Sequence, residues 1–121
     1  EFDNLTAPHS SRVERISAAS DYAVANGVVV VLKGANTAVC LPDGSVHFNS
    51  TGNAGMATGG SGDVLTGILT ALLAQGYALA DAAILGVFIH GMAGDAAAQR
   101  LSQVGMTAGD IVDELSKLWR P

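Results

Sequence analysis

Basic residues are scarce in this chain. Six Lys and Arg face eleven Asp and Glu among 121 residues, a formal charge of -5, which argues against nucleic acid or an anionic membrane as a partner. Cysteine is nearly absent. Cys40 stands alone, so no internal disulfide can form, and a reduced, cytoplasmic setting is expected. Charged residues make up only 14% against 49% hydrophobic, a balance that suits a buried core and excludes a disordered polar tail. No apolar run reaches the length of a membrane span, and no basic segment leads into a hydrophobic one as in a secretory signal. Neither repeats nor linker composition divide the chain, so a single domain over residues 1–121 is expected, short for an α/β enzyme. There is no initiating Met, and the first residues read as a loop, so upstream sequence is expected.

Glycine is what the chain has in quantity. Residues 49–67, NSTGNAGMATGGSGDVLTG, run from a glycine-dense loop directly into helical periodicity at Val64, Leu65, Ile68, Leu69, Leu72 and Leu73. The first amides of a helix lack intrahelical partners and sit at its positive end, and glycines ahead of them let backbone close around a ligand. This is a candidate phosphate site. Because cations are few, such a site must rely on backbone amides, and Lys33 is the one cation near either glycine-rich stretch in the sequence. Asp63 admits two readings: an N-cap at the loop–helix junction, or a general base that takes a proton from a hydroxyl attacking phosphorus. The flanking glycines favour the second.

Along the chain, residues 1–9 with Pro8 read as a loop, and His9 as a solvated side chain. Ser11 and Glu14 form an S-x-x-E start for a helix with Val13, Ile16, Ala19 and Ala23 on one face, stopped by Asn26-Gly27. Residues 28–32, VVVVL, predict a strand buried on both faces, as in a parallel sheet. Helix followed by buried strand indicates α/β. The strand ends in Lys33, Gly34, Ala35, Asn36 and Thr37, on the edge where open α/β sheets gather ligands. There Lys33 could meet phosphate, Gly34 could allow close approach, and Asn36 and Thr37 could hydrogen-bond a nucleotide. An ordinary turn with a solvated lysine would use the same residue types. A β-hairpin turns at Pro42-Asp43-Gly44, and His47 on it has no partners at metal-ligand spacing. Helices are then expected to Gln75-Gly76, over residues 80–101, and from Thr107 and Asp110 onward, with Trp119 against apolar surface. His90 and Asp95 in the long helix read as a satisfied, partly buried histidine and an exposed aspartate.

The segment GMATGGSGDVLTG resembles the signature of the ADP- or ATP-dependent NAD(P)H-hydrate dehydratases, of the ribokinase-like fold. LKGANT at residues 32–37 resembles that family's second nucleotide-contacting segment, and the likeness runs along the whole chain. The resemblance implies the C-terminal part of one ribokinase-like α/β nucleotide-binding domain, a three-layer sandwich with a mostly parallel sheet and one hairpin. It implies dehydration of hydrated NADH or NADPH through hydroxyl phosphorylation and phosphate elimination, with ADP or ATP as cosubstrate and Mg2+ beside it. Asp63 would be the catalytic base and would touch substrate together with Asn53. Lys33, Gly34, Ala35, Asn36, Thr37, Gly59, Gly60, Ser61 and Gly62 would bind the nucleotide. A cytoplasmic, homo-oligomeric full-length protein is expected. A ribokinase-like kinase of a small alcohol or vitamin precursor, or an inactive nucleotide-binding fragment, are the alternatives.

Overall fold

The sequence periodicities become two units, Glu1–Asn49 and Ser50 onward. The computed structural model describes residues 1–118, and the expectation for Trp119 lies outside the described residues.

In the first unit, one helical turn, α1 (Phe2–Leu5), stands where a loop is expected. Here His9 is half-buried rather than solvated, stacked on Phe2 at 5.8 Å and bonded to Asp3 at 3.0 Å. Helix α2 (Arg12–Asn26) starts as predicted: Ser11 Oγ accepts from the Glu14 amide at 3.2 Å. Glu14 reaches back one residue further than a capping box requires, to the amide and hydroxyl of Ser10. Ala19 and Ala23 are buried, whereas Val13 is 78% exposed, so the buried stripe begins a turn later than the spacing suggests.

Strands β1 (Val30–Leu32), β2 (Ala38–Cys40) and β3 (Val46–Phe48) form one sheet in that order. The register sets Val31 opposite Val39 and Val39 opposite His47. Both pairings are antiparallel, so β1 has no parallel neighbour among the described residues. The reason is connection length: a parallel return needs a crossover of a dozen or more residues, whereas residues 33–37 bring the chain straight back. β1 is also shorter than the VVVVL run and only half-buried. Cys40 lies fully buried with Ala19, Ala23 and Ala38, and burial pushes its thiol pKa up, so it is an inert core residue.

The second unit is helical. A 3₁₀ turn (Ala54–Met56) precedes α3 (Ser61–Ala74), α4 (Leu79–Gly105) and α5 (Ala108–Leu118). Thr107 starts α5 through its amide and hydroxyl, which donate to Asp110 Oδ2 at 2.8 and 2.6 Å. Helix α4 runs four residues past its expected end, across a kink at Ser102 with φ 67° and ψ 162°. By length and hydropathy α4 could cross a bilayer, contrary to the sequence expectation, but half of that stretch is buried inside the protein. Its small face explains this. A Cβ on Gly86 would lie 2.7 Å from Leu69 of α3, so glycine permits an approach that compensates for its poor helix propensity. Ala93 and Ala97 meet Met106 and Ile111 in the adjoining core. Arg100 reaches Glu114 at 2.9 Å and Asp110 at 3.3 Å, tying α4 to α5, and Lys117 joins Glu114 at 2.7 Å within α5.

Candidate functional site

The glycine-rich segment is held by side chains of α4. Asp95 Oδ2 accepts from the Gly52 amide and Oδ1 from Asn53 Nδ2, both at 2.9 Å. Asn53 Oδ1 in turn accepts from the Gly55 amide at 3.0 Å, capping the 3₁₀ turn. Next, Met56 packs into the core formed by α4 and α5. At the far end, Ser61 Oγ lies 3.4 Å from His90 Nε2, with both residues buried. Burial holds the His90 pKa below its ordinary value, against the opposing effect of the Ser61 backbone, and so favours the neutral imidazole.

Between these anchors the backbone is bare. Gly59 and Gly60 are exposed, and a Cβ on Gly59 would meet nothing within 4 Å. Gly60 is the N-cap of α3 with φ 88°, a conformation that favours glycine, and no side chain caps the helix. The Ser61 amide closes a turn onto Thr58 O at 3.3 Å. The amides of Gly62 and Asp63, at the second and third helical positions, have no intrahelical acceptor. This geometry suits an anion.

Asp63 is not the N-cap. It sits at the third position of α3, exposed, and its carboxylate hydrogen-bonds no described residue. The cap alternative therefore fails on geometry, because Gly60 occupies the cap position. What remains is an acidic group in the first turn, available to a ligand.

Residues 33–37 in the first unit form a turn that holds itself. Thr37 Oγ1 donates to Gly34 O at 3.3 Å and accepts from the Gly34 amide at 3.4 Å. Asn36 Nδ2 donates to Asn49 O at 3.3 Å. These side chains, expected to face a nucleotide, are engaged in the turn, which leaves Ala35 and Lys33 exposed. Lys33 is exposed, 3.7 Å from Glu1, a pair of little energetic weight. A second cation was missed from the sequence: Arg12 donates to Asn36 O at 2.6 Å. Nothing in the sequence marks it, because 24 residues separate the two.

His90 is buried and partnered, as expected from the sequence, whereas Asp95 is half-buried and doubly bonded instead of exposed. The signal for this was the glycine spacing around it. In a helix, Gly91 and Gly94 make sense only if another segment lies on that face, and Thr51 and Met56 lie there. Among the described residues no cluster of three His, Cys, Asp or Glu could hold a metal.

Comparison with known proteins matches residues 1–117 to the family described as NAD(P)H-hydrate dehydratase. The chain is 50% identical over 107 residues to a bifunctional NAD(P)H-hydrate repair enzyme from Moorella thermoacetica, covering 88% of this chain and 20% of that protein. An ADP-dependent (S)-NAD(P)H-hydrate dehydratase from Neisseria meningitidis is 43% identical over 101 residues, covering 83% of this chain and 34% of its own length. Among solved structures, the ADP/ATP-dependent NAD(P)H-hydrate dehydratase from Bacillus subtilis, co-crystallised with ATP/Mg2+ and soaked with CoA, superposes with a TM-score of 0.83 at 31% identity. That likeness covers 89% of this chain and 40% of the solved one. The chain thus spans 20% to 34% of these two curated relatives.

Proposed function

Because the chain belongs to the NAD(P)H-hydrate dehydratase family, with the ribokinase-like α/β fold in partial form, we propose that it carries the phosphoryl-transfer part of a dehydratase of hydrated NADH or NADPH that uses ADP or ATP. Residues 1–121 are then the C-terminal part of one nucleotide-binding domain, and chain outside them supplies the remaining strands. The full-length enzyme is cytoplasmic and homo-oligomeric in this reading.

The observation that carries it is Asp63: an exposed carboxylate without a hydrogen-bond partner among the described residues, three residues into a helix whose leading amides are uncapped. A ring hydroxyl is a poor leaving group, so it must first be activated. Asp63 takes the hydroxyl proton as the oxygen bonds to the terminal phosphorus of the nucleotide and the phosphoanhydride bond breaks. Phosphate then departs with the C–O electron pair, the neighbouring carbon loses a proton, and the ring double bond is restored. Amides of Gly59, Gly60, Gly62 and Asp63 stabilise charge on the phosphates, and Ser61 fixes the loop through His90. Lys33, Gly34, Ala35, Asn36 and Thr37 serve the adenine nucleotide through the turn's backbone and the lysine. Described residues offer no acidic cluster for Mg2+, so the ion is expected to arrive on the nucleotide's phosphates.

The test is product analysis with the full-length enzyme, hydrated NADH and ADP or ATP. Recovered NADH with one phosphate released per turnover is expected. A stable phosphorylated product would favour a small-alcohol kinase, and absence of turnover would reduce the chain to a nucleotide-binding module.

A further inference from the structure

The sequence leaves Asp95 without a role, yet its carboxylate grips the glycine-rich segment. Both of its oxygens are used, on Gly52 N and Asn53 Nδ2 at 2.9 Å each. Asn53 is thereby fixed in one orientation. Its amide nitrogen faces the carboxylate and its oxygen faces the Gly55 amide at 3.0 Å. A flip would set donor against donor and oxygen against carboxylate. One hydrogen on Nδ2 and one lone pair on Oδ1 remain for a ligand.

The backbone around this pair admits no slack. Gly52 has φ 101°, and a Cβ there would lie 3.2 Å from Met56 Sδ and 3.6 Å from Gly91 Cα. Gly91 stands one helical turn before Asp95 on the same face, so the polar grip and the close backbone contact belong to one surface of α4. The His90–Ser61 contact serves the other end of the segment. The two ends of the loop therefore have separate anchors.

We propose that Asp95 is a positioning residue for the substrate side of the site, acting by holding Gly52 and Asn53 so that the segment presents a fixed surface to the hydrated nicotinamide. The inference rests on the dehydratase reading above. Because the phosphate side has its own anchor, the loss of Asp95 should separate substrate turnover from nucleotide affinity.

The experiment is a swap in the full-length enzyme: Asp95→Asn, Asn53→Asp, and both together. Asp95→Asn leaves one donor without an acceptor, and Asn53→Asp sets two carboxylates face to face. In the double variant, the new amide at 95 can accept from Gly52 and donate to the new carboxylate at 53, which still accepts from Gly55. All bonds are then remade with the charge moved. Each single change should lower kcat/KM for hydrated NADH at least about tenfold while nucleotide Kd by calorimetry stays within about threefold. The double change should raise kcat/KM at least about threefold above that of Asn53→Asp alone, which lacks the same ligand-facing donor, and restore slow amide exchange at Gly52 and Gly55, the non-additivity expected of a contacting pair.

Three results overturn the proposal: single variants with wild-type kcat/KM, nucleotide affinity that falls in step with turnover, or a double variant that regains amide protection but is no more active than Asn53→Asp alone. Failure of the dehydratase reading shows separately, as absence of turnover in the wild-type enzyme.

Discussion

The two glycine-rich segments are built on opposite plans. Residues 33–37 are held largely by their own side chains, with Thr37 bonded back to Gly34 and Asn36 to the Asn49 carbonyl just after β3. Residues 52–61 contribute few bonds of their own and lean on a helix some thirty to forty residues further along the chain, through Asp95 and His90. A self-held turn spends its side chains on itself and offers backbone plus one lysine. A helix-held loop keeps its central peptides and Asp63 free. The contrast supports the proposal that the chemistry belongs to the second segment and nucleotide contact to the first.

The sharpest test of that division is Asp63→Asn in the full-length enzyme. Turnover of hydrated NADH should drop by roughly 10²–10⁴, the usual worth of a positioned base. Because Asp63 makes no cap bond, stability should fall only by the charge–dipole contribution of about 0.3–1 kcal/mol. Near-normal turnover with unchanged melting would move the chemistry out of the second segment.

Next in size is Gly91→Ala, which attacks the bed on which the loop lies. A Cβ there would overlap Thr51, including its backbone carbon at 2.7 Å, so a loss of about 1–3 kcal/mol is expected from overpacking. Gly67→Ala is the control, since a Cβ there meets nothing within 4 Å and should stabilise α3 by about 0.5–1 kcal/mol. Thermal unfolding that fails to separate these two substitutions would show that the loop is not held by close contact with α4.

For the self-held turn, Lys33→Ala should weaken nucleotide binding by about 1.5 kcal/mol through a lost charged contact, and Arg12→Ala by about 1 kcal/mol through a loosened Asn36 carbonyl. Calorimetry that finds the Arg12 effect zero would mean that the turn needs no outside support at all.

Smallest is a pH effect where α4 meets α5. The Lys117 ammonium and then the Arg100 guanidinium hold the Glu114 carboxyl below the usual range. A lowered folded pKa means that the unfolded state takes the proton first. The stabilisation is therefore complete above the ordinary Glu pKa of about 4.3 and is lost as pH falls through the lowered value. Melting temperatures of wild type and Glu114→Gln should differ at pH 6 and converge in acid.

How much of this could be read in the sequence follows the same division. Local devices were legible: the Ser11 and Thr107 caps, the Pro42-Asp43-Gly44 turn closed by Asp43 onto Ser45, and the passage from glycine loop into α3. Each depends on residues a few positions apart. Antiparallel pairing of β1 was not legible in VVVVL, because burial on both faces is the same in either strand direction. Roles for Arg12, His90 and Asp95 were hidden by contacts 24, 29 and 42 to 43 residues apart in sequence. A side chain's partner at such range is decided by packing, and only the glycines of α4 hinted that something crossed there.

The kink at Ser102 bears on the order in which the molecule opens. At φ 67° and ψ 162° the chain leaves the helical path, and Gln103 then lies against Gly55, where a Cβ would come within 2.8 Å of the Gln103 Cα. The last turn of α4 thus takes its place from the loop more than from the helix that precedes it. In hydrogen exchange, amides of residues 103–105 should share the opening free energy of the 3₁₀ turn, while those before Ser102 follow the slower core, so the cooperative boundary runs through the helix and not at its end.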